Sequence, residues 1–216
     1  MNTSWNKYEG RCDYTGKNVF YSFTRKSVKG ASLQLGYNRA GAGTKQSKKI
    51  SILIDDIAVA TSTRDIDKEI VKVAEKANVK VYQGDEEDII GRWYGASKSF
   101  GFDVIVRITS DCPVIDWKII DKTISALLKE NLDFASPSIP SRFVPHGLDV
   151  EVFTFELLDK VMKTFSKKDR IEKRILLFTY IEDAIIKSIK PEMDMPTRYK
   201  NNLRYGRGLC FNGNDI

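Results

Sequence analysis

Three short stretches carry side chains whose types and spacing could do chemistry. The first, VRITSDCPVID (106–116), is an apolar run that ends in Arg107, Thr109, Ser110 and Asp111 and is stopped by Pro113. If the run is a strand, it brings a charge pair and two hydroxyls to the carboxyl edge of a sheet. A hard cation such as Mg²⁺ takes carboxylate oxygen together with phosphate oxygens, so one or two Asp residues there suffice for a metal and a phosphate. Asp111 is the candidate ligand. The plainer alternative is that Asp111 caps a turn and pairs with Arg107. The second stretch, QGDEEDIIGRW (83–93), has a glycine-acidic turn with Arg92 one helical turn after Asp88, which predicts an i,i+4 ion pair on a solvated face. In the third, HGLDVEVF (146–153), the two-residue alternation of a strand puts Asp149 and Glu151 on one side. Beside Gly147, two such carboxylates suit a sugar hydroxyl or a metal, while a solvated strand face is the alternative. His146 is the only histidine and has no Ser or Cys partner identifiable in the sequence, so a hydrolytic triad is not expected.

These stretches need a scaffold, and the chain spells an alternating one. IAVATS (57–62), VKVYQG (79–84) and DVIVRI (103–108) are short, β-branched apolar runs. RDIDKEIVKVAEKA (64–77), EEDIIGRWYGASKSFG (86–101) and WKIIDKTISALLKE (117–130) have helical spacing, the last with Asp116 as its N-cap. Strands and helices of this length alternating along a chain imply βαβ units and a covered, mainly parallel sheet. LDFAS and LDVEVF predict later strands and IIKSIK a last one. FTFELLDKVMKTF and RIEKRILLFTYIEDA predict two more helices. The proline-rich SPSIPSRFVPHG is expected as a surface loop over the carboxyl edge, where such sheets bind ligands.

At 216 residues and 42% hydrophobic content, the chain has enough apolar material for one buried core. It has no apolar run long enough for a transmembrane helix, and MNTSWNKYEG has no apolar signal core, so a soluble cytoplasmic protein is expected. Cys12, Cys112 and Cys210 are odd in number, far apart and without metal spacing, which argues against a disulfide framework or zinc ribbon. The net charge of +6 would suggest an anionic partner, but its distribution does not. Residues 1–50 hold 10 basic and 2 acidic side chains, and the stretch between the two flanks is acidic. A nucleic-acid module using the basic, aromatic flanks is therefore the minor reading.

Taken together and in order, VATSTRD, VYQGDEEDIIGRWYGAS, DVIVRITSDCPVID and PHGLDVEVFTFELL resemble the cytidylyltransferases of the spore coat polysaccharide type, relatives of the acylneuraminate and ketodeoxyoctonate cytidylyltransferases. The resemblance implies an α/β, three-layer, Rossmann-like nucleotide-diphospho-sugar transferase fold. It further implies that CTP and an acidic or amino sugar give a CMP-sugar and pyrophosphate with Mg²⁺. By position, Asp111 is the implied metal ligand and Arg107 holds that edge. Ala60, Thr61, Ser62, Arg92, Thr109 and Ser110 lie on the nucleotide side, with Gly147, Asp149 and Glu151 on the sugar side. No membrane partner is implied, and a homodimer is admitted. A glycosyltransferase of similar fold that takes a nucleotide-sugar donor, or a non-catalytic remnant, is the competing reading.

Members of the family begin with a strand and a phosphate loop of the form IIQARMSSTRLPGK, whose backbone amides and basic side chains hold a triphosphate. No such text stands here in frame. Back-translated and read one nucleotide later, however, DYTGKNVFYSFTRKSVKGAS (13–32) permits IIQARMSSTRLPGKVLKEL. The expected organisation is thus an aberrant segment over 1–54, a cytidylyltransferase-like domain over 55–203 and an aberrant tail over 204–216. That tail lacks the second metal carboxylate of the family's TVDTPEDYELI ending, and EKRILLFTYI departs from its REHVTPYI. Degradation of the first strand would remove a central piece of the sheet, so the polypeptide is expected to fold poorly and to be impaired. Resequencing the gene is expected to reveal a shift upstream of about residue 13 and a compensating one between Ser32 and Asp56. An intact frame in several independent clones would contradict this.

Overall fold

The computed structural model describes the backbone of residues 18–22 and residues 53–76, 78–109 and 115–191. Seven strands, β1 (Asn18–Ser22), β2 (Ala58–Ser62), β3 (Lys80–Gly84), β4 (Val104–Thr109), β5 (Phe134–Ser136), β6 (Glu151–Thr154) and β7 (Ile186–Ser188), form one sheet in the order β3-β2-β1-β4-β6-β5-β7. Only β6 runs against the others, pairing antiparallel with β4 and β5. The place of a first strand expected to be degraded is filled by the backbone of Asn18–Ser22, which pairs parallel with β2 and β4. Its Ser22 aligns with Ala60 on one side and Thr109 on the other, so three strands end together at the carboxyl edge. The strand order reverses between β1 and β4, the place where sheets of this kind open a crevice for ligands.

Helices cover both faces, which makes the three layers expected. They are α1 (Lys68–Lys76), α2 (Ile89–Phe100), α3 (Trp117–Lys129), α4 (Phe155–Thr164) and α5 (Lys167–Lys173), with 3₁₀ turns at Asp65–Asp67 and Arg174–Tyr180. The period of two along each strand divides the core. Val59, Val104, Val106, Ile108 and Val152 pack against Ile70 of α1 and Ile119, Ile120 and Ile124 of α3. Ala60, Ile105, Phe134 and Phe153 face Trp93 of α2, Leu157 and Leu158 of α4, and Phe178. The Phe153 and Phe178 rings lie 4.7 Å apart between centroids. No helix among the described residues is long and apolar enough to cross a membrane.

Helix ends follow local chemistry. Asp88 accepts from the Gly91 amide at 2.8 Å and caps α2, which ends at Gly101 in the left-handed region (φ 69°). Asp116 caps α3 as expected, accepting from the Lys118 amide at 2.9 Å. Gly95 lets α2 lie close to β3, because a Cβ there would stand 2.1 Å from the Tyr82 hydroxyl. The single helix expected over RIEKRILLFTYIEDA is not formed. α5 begins earlier, at a Ser166–Asp169 capping box, and stops at Arg174, whose φ of 50° turns the chain out of the right-handed helix. This break frees Leu177 and Phe178 to enter the core as a 3₁₀ turn.

α5 is tied to the β3–α2 turn by an ion pair between Lys167 and Asp85 at 2.8 Å. The hydrogen bond from Lys167 and those from the Asp88 and Glu87 amides hold the Asp85 carboxyl down at about 2. A folded value below the unfolded one stabilises the protein fully above about pH 4, and that contribution is lost as pH falls through about 2. The pair is half exposed, so salt screens it. Urea unfolding between about pH 4 and pH 2 is expected to show the unmodified chain losing stability more steeply than Asp85→Asn, with the difference shrinking in high salt. Parallel pH profiles would contradict this.

Candidate active site

β2 ends in Ala60, Thr61 and Ser62 at the carboxyl edge, all buried. Because Ala60 faces the α2 layer, Ser62 shares its side of the sheet, while Thr61 points to the other. The Ser62 hydroxyl donates to the Asp67 carboxylate, a short contact inside the 3₁₀ turn that follows β2. The strand is tied to β3 by the Gln83 side chain donating to the Ser62 carbonyl at 3.2 Å and the Thr63 amide donating to the Gly84 carbonyl at 3.1 Å.

Arg92 is the side chain that differs most from expectation. It is only 3% exposed, so it does not sit on a solvated face, and the ion-pair partner of Asp88 is Arg170 rather than Arg92. Arg92 Nη1 donates to the Glu86 carbonyl at 3.2 Å, whereas Nε and Nη2 have no partner among the described residues. Burial pushes this guanidinium below its ordinary value, and the carboxylates of Asp67, Asp85, Glu86 and Asp88 act in the opposite direction. Gly84 makes room for it, since a Cβ at that position would stand 2.8 Å from Arg92 Cγ. The Thr61 hydroxyl and Asp67 Oδ1 are likewise buried without partners. A buried cation with unused donors, a hydroxyl and a carboxylate oxygen at one strand edge are costly unless a ligand satisfies them.

On the other side of the crevice, Arg107 of β4 aligns with Glu151 of the antiparallel β6. Arg107 Nη1 donates to Glu151 Oε1 at 2.8 Å, and the Arg107 guanidinium lies 5.2 Å from the centre of the Trp93 ring. Arg107 is thus held by a cross-strand partner, while Asp111, the partner considered above, lies outside the described residues. Burial pushes the Glu151 carboxyl up, and Arg107 opposes that shift while Asp149 adds to it. Asp149 lies two residues before the strand rather than within it. Asp149 Oδ1 pairs with Arg142 at 2.8 Å, and Oδ2 accepts from the Gly147 amide at 3.2 Å. Gly147 takes φ 94°, which only glycine adopts without strain. Arg142 comes from the proline-rich loop, so the loop is clamped to the sheet at this edge.

The structure thus collects Ala60, Ser62 and Arg92 on one side and Arg107, Gly147, Asp149 and Glu151 on the other. Thr109 closes β4 between them. Ser110 and Asp111 lie outside the described residues, as does the shifted-frame loop apart from Asn18–Ser22. Asp67, Arg142 and Arg170 were not singled out from the sequence. Their partners are set by turn and loop geometry, and Arg170 is 82 residues from Asp88.

Comparison with known proteins agrees with this architecture. A cytidylyltransferase from Leptospira borgpetersenii is 25% identical, with a TM-score of 0.64, covering 84% of this chain and 78% of its own. A CMP:2-keto-3-deoxy-manno-octonic acid synthetase solved with CTP shares the fold at 13% identity and a TM-score of 0.54, covering 88% of this chain and 98% of its own. The uncharacterized protein MJ1063 of Methanocaldococcus jannaschii is 42% identical over 124 residues, 57% of this chain and 48% of its own. The spore coat polysaccharide biosynthesis protein SpsF of Bacillus subtilis is 24% identical over 124 residues, 57% of this chain and 50% of its own. The chain spans about half the length of these curated relatives. The sequence pattern of the cytidylyltransferase family matches residues 44–205, well over half of the molecule, and the chain belongs to that family.

Proposed function

We propose that the chain is a nucleotidyltransferase by descent, built to activate an acidic or amino sugar as its CMP derivative from CTP, with release of pyrophosphate, for surface or spore-coat polysaccharide synthesis. We further propose that the polypeptide as written is impaired. The observation that carries the reading is Arg92, a buried cation by the carboxyl end of β3 whose Nε and Nη2 have no partner among the described residues. Such donors suit the carbonyl, ribose or phosphate oxygens of a nucleotide. The family membership narrows that nucleotide to CTP. Impairment rests on the absence of an in-frame phosphate loop.

In this reaction a sugar oxygen attacks the α-phosphorus of CTP. The new P–O bond forms as the bond from the α-phosphorus to the oxygen bridging to the β-phosphate breaks, and pyrophosphate leaves with the electron pair. Ala60, Ser62 and Arg92 would hold the nucleoside side, with Thr61 on the opposite face of β2 and Thr109 and Ser110 near the phosphates. Gly147 and Asp149 meet the sugar, and Glu151 offers it the oxygen that Arg107 leaves unused. Arg107 keeps Glu151 in place. No three His, Cys, Asp or Glu side chains cluster as a metal cage among the described residues. The Mg²⁺ expected here would rest on Asp111, two residues after β4 in sequence, and on triphosphate oxygens, a donor set a hard cation accepts. When bound it would neutralise charge developing on the phosphates.

Incubation with CTP, Mg²⁺ and a panel of acidic and amino sugars is expected to release little pyrophosphate, while NMR titration shows CTP binding. Restoring IIQARMSSTRLPGK is expected to recover turnover. Robust turnover of the unmodified chain would overturn the impairment, and binding of a nucleotide-sugar but not CTP would favour a glycosyltransferase. Gly84→Ala, whose Cβ displaces Arg92, is expected to weaken CTP binding about tenfold, the scale of one lost hydrogen bond to a charged group. Unchanged affinity would remove Arg92 from the nucleotide site.

A further inference from the structure

Asp88, the N-cap of α2, and Arg92 stand at i,i+4, the spacing at which a carboxylate and a guanidinium pair on a helix. They do not pair, because Arg170 of α5 has taken the carboxylate. Arg170 Nε lies 3.2 and 3.1 Å from the two Asp88 oxygens, and Nη2 lies 2.7 Å from Oδ2. Its Nη1 donates to the Phe165 carbonyl at 2.8 Å, which fixes the guanidinium plane. Both side chains are nearly buried, 11% and 6% exposed, so water offers little competition. The Asp88 carboxylate also accepts from the Gly91 amide that it caps.

Arg92 is held at both ends by this same turn. Its amide donates to the Asp88 carbonyl at 3.0 Å, and its Nη1 donates to the Glu86 carbonyl. Its other side-chain nitrogens have no partner among the described residues, although an anion sits one helical turn away. A planar fork bonded in two places outcompetes a single contact, so the Asp88 carboxylate remains with Arg170.

We infer that Arg170 is a positioning residue for the nucleotide site: by occupying Asp88 it keeps Arg92 free to meet the nucleotide. This rests on the nucleotide reading given above. Arg170 itself touches no substrate. Its removal leaves a buried carboxylate without its cation, and Arg92, at i,i+4 from Asp88, then swings onto it and is lost to the ligand.

The test is CTP affinity of the full chain by NMR titration, with thermal unfolding recorded alongside. Arg170→Met is expected to weaken CTP binding about tenfold, the scale of a lost hydrogen bond to a charged group. Adding Asp88→Asn removes the competing anion while keeping a helix cap, so the double variant is expected to regain most of the affinity. A merely structural role predicts no such rescue. Arg170→Lys keeps the charge without the fork and is expected to fall between Arg170→Met and the unmodified chain, which keeps the test open if Arg170→Met does not fold. Unchanged affinity in Arg170→Met, or a double variant no better than the single one, would overturn the inference. Should the unmodified chain bind no CTP, the nucleotide reading falls and this one with it, an outcome distinct from a variant that fails to change a measurable affinity.

Discussion

The Asp88 carboxylate ties together much of what the described site contains. It caps α2, which packs Trp93 into the core and buries Arg92, and it anchors α5 through Arg170. Removing one partner of such a buried pair costs roughly 3–5 kcal/mol, because the other charge is left uncompensated. That is a large share of a small domain's margin. The neighbouring Lys167–Asp85 pair, half exposed, adds orientation more than energy.

A second constraint lies at the seam where the sheet changes direction. β4 and β6 meet antiparallel, and the register places Arg107 opposite Glu151. Burial alone would favour a protonated Glu151, and Arg107 works against that. The pair fixes the strand that delivers Asp149, whose contacts with Arg142 and Gly147 hold the proline-rich loop over the edge. Trp93 lies against Arg107, so the helix that carries Arg92 and the β4–β6 pair meet on one face of the sheet.

Much of the scaffold was legible because its signals are local. The apolar run of β4, the acidic start and glycine end of α2, and the Asp116 cap of α3 each follow from neighbours in sequence. The parts that were not legible depend on distant partners or on backbone conformation. Arg92 has the spacing of a surface ion pair, and nothing within its own helix says that Arg170 intervenes. Glu151 and Arg107 are 44 residues apart, so their pairing needed the strand register. The break at Arg174 has no glycine or proline to mark it. The central slot of the sheet is filled by NVFYS, text whose composition had suggested a basic aromatic arm.

The central claim is that CTP occupies the edge between β2, β3 and α2 with Arg92 as a direct partner. The most direct measurement is an NMR titration of the arginine Nε–H resonances with CTP. The account predicts that the Arg92 signal shifts at saturating CTP while Arg170 keeps the position of a bonded guanidinium. A response confined to surface lysines or to the basic flanks, with Arg92 unmoved, would contradict it.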